Sequence, residues 1–101
     1  MSTTAATTEI TSPVASAWTQ IDGTPLSGRK YAQIANQDLT QRMGVIFTHS
    51  SAPTGAWNTG LKVLPGDMTP LEPAEGAVKI YIRMETGPVT TGEAVLLLEW
   101  N

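Results

Sequence analysis

Residues 77–85 read A-V-K-I-Y-I-R-M-E, and their alternation decides the fold class. Val78, Ile80, Ile82 and Met84 fall on one side of an extended chain, while Lys79, Tyr81, Arg83 and Glu85 fall on the other. Strict period two over such a stretch describes a β-strand with a core face and a wet face. Beyond the turn formers Thr86, Gly87, Pro88, Thr91 and Gly92 comes the segment 93–100, E-A-V-L-L-L-E-W, which is almost continuously apolar. That pattern is expected of a central strand covered on both faces. A helix would suit its Leu and Ala residues, but its length and the strand before it favour a hairpin of the two.

Upstream the same period recurs in shorter pieces. Val14, Ser16, Trp18 and Gln20 alternate with Ala15, Ala17, Thr19 and Ile21 until Asp22 and Gly23 signal a turn. Residues 29–36 (R-K-Y-A-Q-I-A-N) and 42–48 (R-M-G-V-I-F-T) are strand candidates on either side of a turn, and a hairpin is expected of them. Residues 61–64 and 68–71 are shorter candidates, separated by Pro65, Gly66 and Asp67, where Pro presets one turn position and Gly accepts positive φ at the next. Between residues 49 and 60 lies H-S-S-A-P-T-G-A-W-N-T-G, a long loop whose one large apolar residue is Trp57. No stretch shows capped apolar residues at helical spacing. Six to eight short strands punctuated by Gly, Pro, Asn and Asp predict an all-β protein, an antiparallel β-sandwich or jelly-roll-like barrel, with a jelly roll as the first choice.

At 101 residues the chain has material for one core, assigned to residues 13–101. Residues 1–12, M-S-T-T-A-A-T-T-E-I-T-S, contain Ile10 as their one large apolar side chain and are expected to form a flexible N-terminal arm. Such an arm is either an idle terminus or a segment that orders on a partner. Charged residues make up 15% of the chain, well under the usual quarter, so its surface is covered by Thr, Ser, Gln, Asn, Gly and Pro.

Composition also removes several kinds of chemistry. Arg29, Lys30, Arg42, Lys62, Lys79 and Arg83 are scattered and outnumbered by nine acids, which disfavours nucleic-acid binding. Cys is absent, and with it disulfides, thiolate nucleophiles and Cys-based zinc sites. A charged leader followed by an apolar run is missing, as is a run of about eighteen apolar residues, so neither a signal peptide nor a membrane span is expected and synthesis is expected in a cytoplasm. His49 is the one histidine; Ser50 and Ser51 adjoin it, but adjacency in sequence is not triad geometry and no Gly-x-Ser-x-Gly elbow occurs. Glu72 with Glu75, and Glu85 with Glu93, flank turns where acids are ordinarily solvated. Asp22, Asp38 and Asp67 sit at turns, where Asp bonds the local backbone. No catalytic residue, cofactor or metal is therefore expected. Binding chemistry falls to aromatics and backbone. Trp18 and Trp100 lie in strand candidates and are expected in the core, where a Trp buries roughly 150–250 Å2. Trp57, in the loop with Thr54 and Asn58, is either a plug that folds the loop back or a partner contact, a frequent role of Trp at interfaces.

The Thr/Ser/Ala arm, the R-K-Y-A-Q-I-A-N strand, the T-G-A-W-N-T-G loop running into L-K-V-L-P-G-D, and the two closing strands together resemble small tailed-phage proteins that decorate or cement capsids. More loosely they resemble the β-sandwich modules of phage tails and fibres. The resemblance spans most of the chain and is one of style, with no single diagnostic motif. It implies a homotrimer seated at quasi-threefold or threefold positions on the capsid exterior of a virion, bound to the major capsid protein, with Ile10, Thr54, Trp57 and Asn58 as partner-binding residues. The rival from another class is a carbohydrate- or receptor-binding module in which Trp57, with Tyr31 or Tyr81, stacks on sugar faces.

Overall fold

The structure, a computed structural model, describes residues 5–10, 15–88 and 94–101. Eight strands follow in chain order: β1 Ala5–Ile10, β2 Thr19–Gln20, β3 Tyr31–Asn36, β4 Met43–Thr48, β5 Leu61–Val63, β6 Glu72–Pro73, β7 Lys79–Met84 and β8 Val95–Trp100. One 3-10 turn, Trp57–Thr59, is the helical content among the described residues. The strands form two four-stranded antiparallel sheets, β1-β8-β3-β6 in front and β2-β7-β4-β5 behind. The all-β sandwich expected from the sequence is the fold.

Pairing is nested. β1 pairs with β8, β2 with β7, β3 with β6 and β4 with β5, so the chain behaves as one long hairpin rolled over itself. The cross-pairs β3 with β8 and β4 with β7 then knit the roll into two sheets, a jelly-roll-like order. This corrects both expected hairpins. β3 and β4 lie in different sheets, as do β7 and β8. Period two assigns the faces of a strand and says nothing of its neighbours, so strands adjacent in sequence met across the core instead of side by side.

The inner faces carry the alternation. Ala32, Ile34, Val95 and Leu97 from the front sheet meet Met43, Val45, Ile80, Ile82 and Met84 from the back sheet, all buried. Val14, Glu93 and parts of the arm lie outside the described residues. What is described of residues 1–12 departs from the flexible arm: Ala5–Ile10 pairs along the whole of β8, from Ala5 opposite Trp100 to Ile10 opposite Val95. Without this strand β8 would present a row of unpaired backbone groups, and a Thr-rich extended segment is suited to satisfy them. Segment 68–71 gives a single bridge, Met68 opposite Ala35, ahead of β6. Between the pairs Ala35–Met68 and Ala32–Glu72, β3 supplies two residues and its partner three, a β-bulge at Pro70 and Leu71.

Both open ends of the sandwich are closed by buried polar groups. At one end the Arg29 side chain, wholly inaccessible, donates to Glu99 Oε2 and Asp22 Oδ2, each at 3.0 Å, and to the carbonyls of Ala74 at 2.7 Å, Glu75 at 3.1 Å and Val78 at 2.8 Å. At the other end Asn36, Asp38 and Gln41 form a second network, with Gln41 Nε2 donating to Asp38 Oδ2 at 2.9 Å. Truncating Arg29 strands two buried carboxylates and three carbonyls. Arg29→Ala is expected to destabilise the fold by about 3–5 kcal/mol, whereas Ile80→Ala, which leaves a cavity, should cost about 2–5 kcal/mol; urea unfolding followed by circular dichroism measures both. Deleting residues 2–12 removes β1 and should lower the melting temperature, an effect that an unattached arm would not have.

Candidate functional site

The loop 49–60 lies against the outer face of the back sheet. Its backbone reaches the sheet because β4 and the loop each place a glycine at the contact: a Cβ at Gly44 would collide with the Trp57 carbonyl, and one at Gly60 with the Val45 carbonyl. The loop is also held from below. The Gly55 carbonyl accepts from Trp18 Nε1 at 2.8 Å and from Arg83 Nη1 at 3.0 Å, while Arg83 Nε donates to the Ala15 carbonyl at 2.6 Å. Thr59 closes the 3-10 turn, its N–H and its hydroxyl both donating to the Ala56 carbonyl. A segment rich in Gly, Ser and Thr is thereby tied down at Gly55 and Thr59, and Thr54 and Asn58 stand exposed on it.

Trp57 is half-buried. The Arg42 guanidinium lies over its ring, 4.8 Å from the centroid, within cation–π range. Arg42 is oriented by Glu85, just past the end of β7: Nε lies 3.2 Å from each carboxylate oxygen, and Nη2 makes a short bond to Oε2. The Arg42 side chain, and after it the Arg42 backbone N–H, hold the Glu85 carboxyl below the ordinary carboxylate range; Glu85 in turn raises Arg42.

The structure separates the residues expected to contact a partner. Thr54, Trp57 and Asn58 belong to the loop on the back sheet. Ile10 does not join them: it sits on β1 of the front sheet, half-buried against the core opposite Val95, so this anchor is used within the chain. The reason is register, which turns Ala6, Thr8 and Ile10 toward the inner face. The Trp57 backbone seats the loop against Gly44 of β4, the plug that was one of its two expected roles, and the residue is half-buried. Of the other two tryptophans, Trp18 is buried as expected, beside Gly44 and Gly55 rather than in the cluster between the sheets, while Trp100 departs from the expected core and is half-buried on the outer face of the front sheet. Tyr31 is exposed on the front sheet, whereas Tyr81 is buried beside the loop on the back sheet.

His49 is exposed and Ser50 N–H donates to the Thr48 hydroxyl, an ordinary local turn bond. Asp22 and Asp38, expected at turns where Asp bonds the backbone, do accept from backbone N–H groups, those of Ile80 and Thr40, and are also buried in the two end networks. Among the described residues no group of three His, Asp or Glu side chains is placed to hold a metal ion. Sequence reasoning missed the supports of the loop, Arg42 and Arg83. Their signal was present, since Arg83 sits on β7 and Arg42 immediately precedes β4, but period two assigned Arg83 to a wet face without showing that the loop returns to cover it.

Because folding depresses the Glu85 carboxyl, the stabilisation that it gives is complete above the usual Glu range and disappears as pH falls through its lowered folded-state value. Unfolding measured against pH should therefore show Glu85→Gln differing from the parent at neutral pH and converging with it in acid. An equal difference at every pH would assign the effect to packing.

No protein-family model, curated protein or solved structure matches this chain.

Proposed function

We propose that the protein is a non-enzymatic structural component of a virion, made in the host cytoplasm, that binds the outer capsid surface and decorates or cements it through the loop 49–60. The observation that supports this reading is the bracing of the loop: Gly55 is tied to Trp18 and Arg83 while Thr54 and Asn58 are left exposed. A contact segment ordered in advance avoids much of the side-chain and loop ordering that association otherwise costs. The resemblance to capsid decoration proteins supplies the partner, the major capsid protein, and the nested strand order supports it by analogy, since jelly rolls recur in viral capsid and lectin domains.

A glycan-binding module has less in its favour. Arg42 occupies one face of Trp57, Tyr31 lies on the other sheet and Tyr81 is buried, so neither tyrosine joins Trp57 on one sugar.

Co-sedimentation with tailed-phage capsids at limiting protein tests the proposal. The double variant Thr54→Ala, Asn58→Ala is expected to keep its melting temperature and to lose at least about tenfold in capsid affinity, equivalent to roughly 1.4 kcal/mol. Parent protein that fails to sediment with any such capsid, or a variant that occupies it fully, overturns the reading.

A further inference from the structure

The edges of the two sheets are not alike. β2 and β5, which bound the back sheet, are two and three residues long. The β6 edge of the front sheet carries Pro70 and Pro73 beside the bulge. Short strands, prolines and bulges all oppose the addition of a further strand. β1 has none of these: Ala5–Ile10 is six residues long, contains neither Pro nor Lys, and pairs with β8 without interruption. Its one formal charge is Glu9.

The direction of its backbone groups follows from the ladder. On β3, the Ile34 N–H donates to Thr69 Oγ1 at 3.0 Å and the Ile34 carbonyl accepts from the Thr69 N–H at 2.9 Å, while Asn36 bonds the backbone of Gly66 and Asp67. Ile34 and Asn36 thus turn away from β8. Backbone direction alternates along a strand, so Gln33 and Ala35 bond β8 at Leu98 and Leu96, and Leu97 and Val95 turn the other way to meet Thr8 and Ile10 of β1. Ala5, Thr7 and Glu9 are left with both N–H and C=O directed outward. All three residues are exposed, and among the described residues no strand pairs with that side.

We propose that this edge is the docking surface for a second copy of the same chain, β1 pairing antiparallel with its own image about a twofold axis at Thr7. In that register Thr7 lies opposite Thr7 of the second copy, Ala5 opposite Glu9, and Ala6 opposite Thr8. The outward N–H groups of Ala5, Thr7 and Glu9 in each copy meet the outward carbonyls of the same three residues in the other, and the two front sheets become one. The charges select the occupant and the register together. Centring on Thr7 sets each Glu9 against an Ala and holds the two carboxylates about 14 Å apart along the strand, beyond the roughly 8 Å over which salt leaves such charges interacting. Centring on Glu9 would set like charges directly opposite, which destabilises a cross-strand pair, whereas a Thr–Thr pair at the axis is favourable. One acid in six residues offers a basic strand from another protein little to recognise, while the image of β1 matches it in length and hydrogen-bond phase. The pair is closed, because the edges that remain on each copy are the guarded ones. It takes the place of the threefold assembly that the resemblance implies. It does not depend on what the loop 49–60 binds, so capsid attachment and self-association fail separately.

Sedimentation equilibrium of the parent chain and of Thr7→Pro, Ala5→Lys and Ala5→Glu tests this, with far-ultraviolet circular dichroism as the control for folding. Backbone bonds with little apolar burial hold a pair loosely, so the parent should dimerise with a dissociation constant on the order of 0.1 mM. Thr7→Pro deletes an N–H at the axis and none that bonds β8, a placement that an edge strand tolerates, and is expected to weaken the dimer at least about tenfold. Residue 5 reads the register without touching the ladder. Ala5→Lys places a cation opposite Glu9 of the second copy at both ends of the pair and should tighten it roughly threefold, and Ala5→Glu should weaken it by as much. Should Thr7→Pro fail to fold, the opposite responses at residue 5 still decide. A parent that is monomeric at about 1 mM overturns the proposal, since that lies well above the expected dissociation constant. So does a trimer, or a dimer indifferent to the charge at residue 5. Slowed hydrogen exchange of the Thr7 amide that appears only when capsids are added, with the free chain monomeric, assigns the edge to a different protein and overturns it as well.

Discussion

The Arg29 guanidinium is the point through which the two sheets are joined. Asp22 follows β2 of the back sheet, Glu99 belongs to β8 of the front sheet, and the carbonyls of Ala74, Glu75 and Val78 line the crossing from β6 to β7. One side chain thus ties two crossings between the sheets, from β2 to β3 and from β6 to β7, to the end of β8. The carboxylates are themselves shared out, since Asp22 also accepts from Gln20 Nε2 and the Ile80 N–H, and Glu99 accepts from the Leu26 N–H. Burial of a guanidinium with two carboxylates has a large desolvation cost, and such a cluster is tolerated because every polar atom in it is bonded. Its value lies in specificity: a rolled chain with another strand order would leave those charges unpaired.

The opposite end is closed by neutral groups around one carboxylate. Asn36 Nδ2 donates to the Gln41 and Val63 carbonyls, and Gln41 Oε1 accepts from the backbone of Thr86 and Gly87. This network spans the crossings from β3 to β4 and from β7 out of the back sheet. Those are the two connections that an antiparallel pattern would read as hairpins. A two-residue turn between them would have needed Asn-Gly or similar chemistry, whereas buried Asn36, Asp38 and Gln41 bind the chain as it passes over the end of the core.

Face assignment was legible in the sequence because it depends on side-chain period alone. Ile80, Ile82 and Met84 are inside, and Lys79 and Arg83 are not, as the alternation of residues 77–85 required. Pairing was illegible because it depends on residues that look solvated in isolation: Asp22 and Asp38 read as turn formers until the partners that desolvate them are known. Arg29 and Asn36, which bracket the R-K-Y-A-Q-I-A-N strand, were visible as a pattern, but their pattern did not disclose that each closes one end of the core. Of the candidate contact residues, Thr54, Trp57 and Asn58 were reachable from the odd position of a Trp in a polar loop. Ile10 was misplaced for a physical reason: a lone apolar residue in a Thr-rich tract reads equally as a partner's anchor or as the inner side of an edge strand.

Each sheet edge and face is treated differently, and the differences have a common logic. The β6 edge carries Pro70 and Pro73 and a bulge, all of which oppose further strand addition. The edges of the back sheet are the short strands β2 and β5. Edge-to-edge growth is thereby restrained on three sides, while the outer face of the front sheet keeps its apolar side chains. A sandwich only 20 Å across in its thinnest dimension buries each inner residue with a single opposing layer. Leu96, Leu98 and Trp100 on the outer face lie outside that core and are half-buried by their neighbours on the sheet alone.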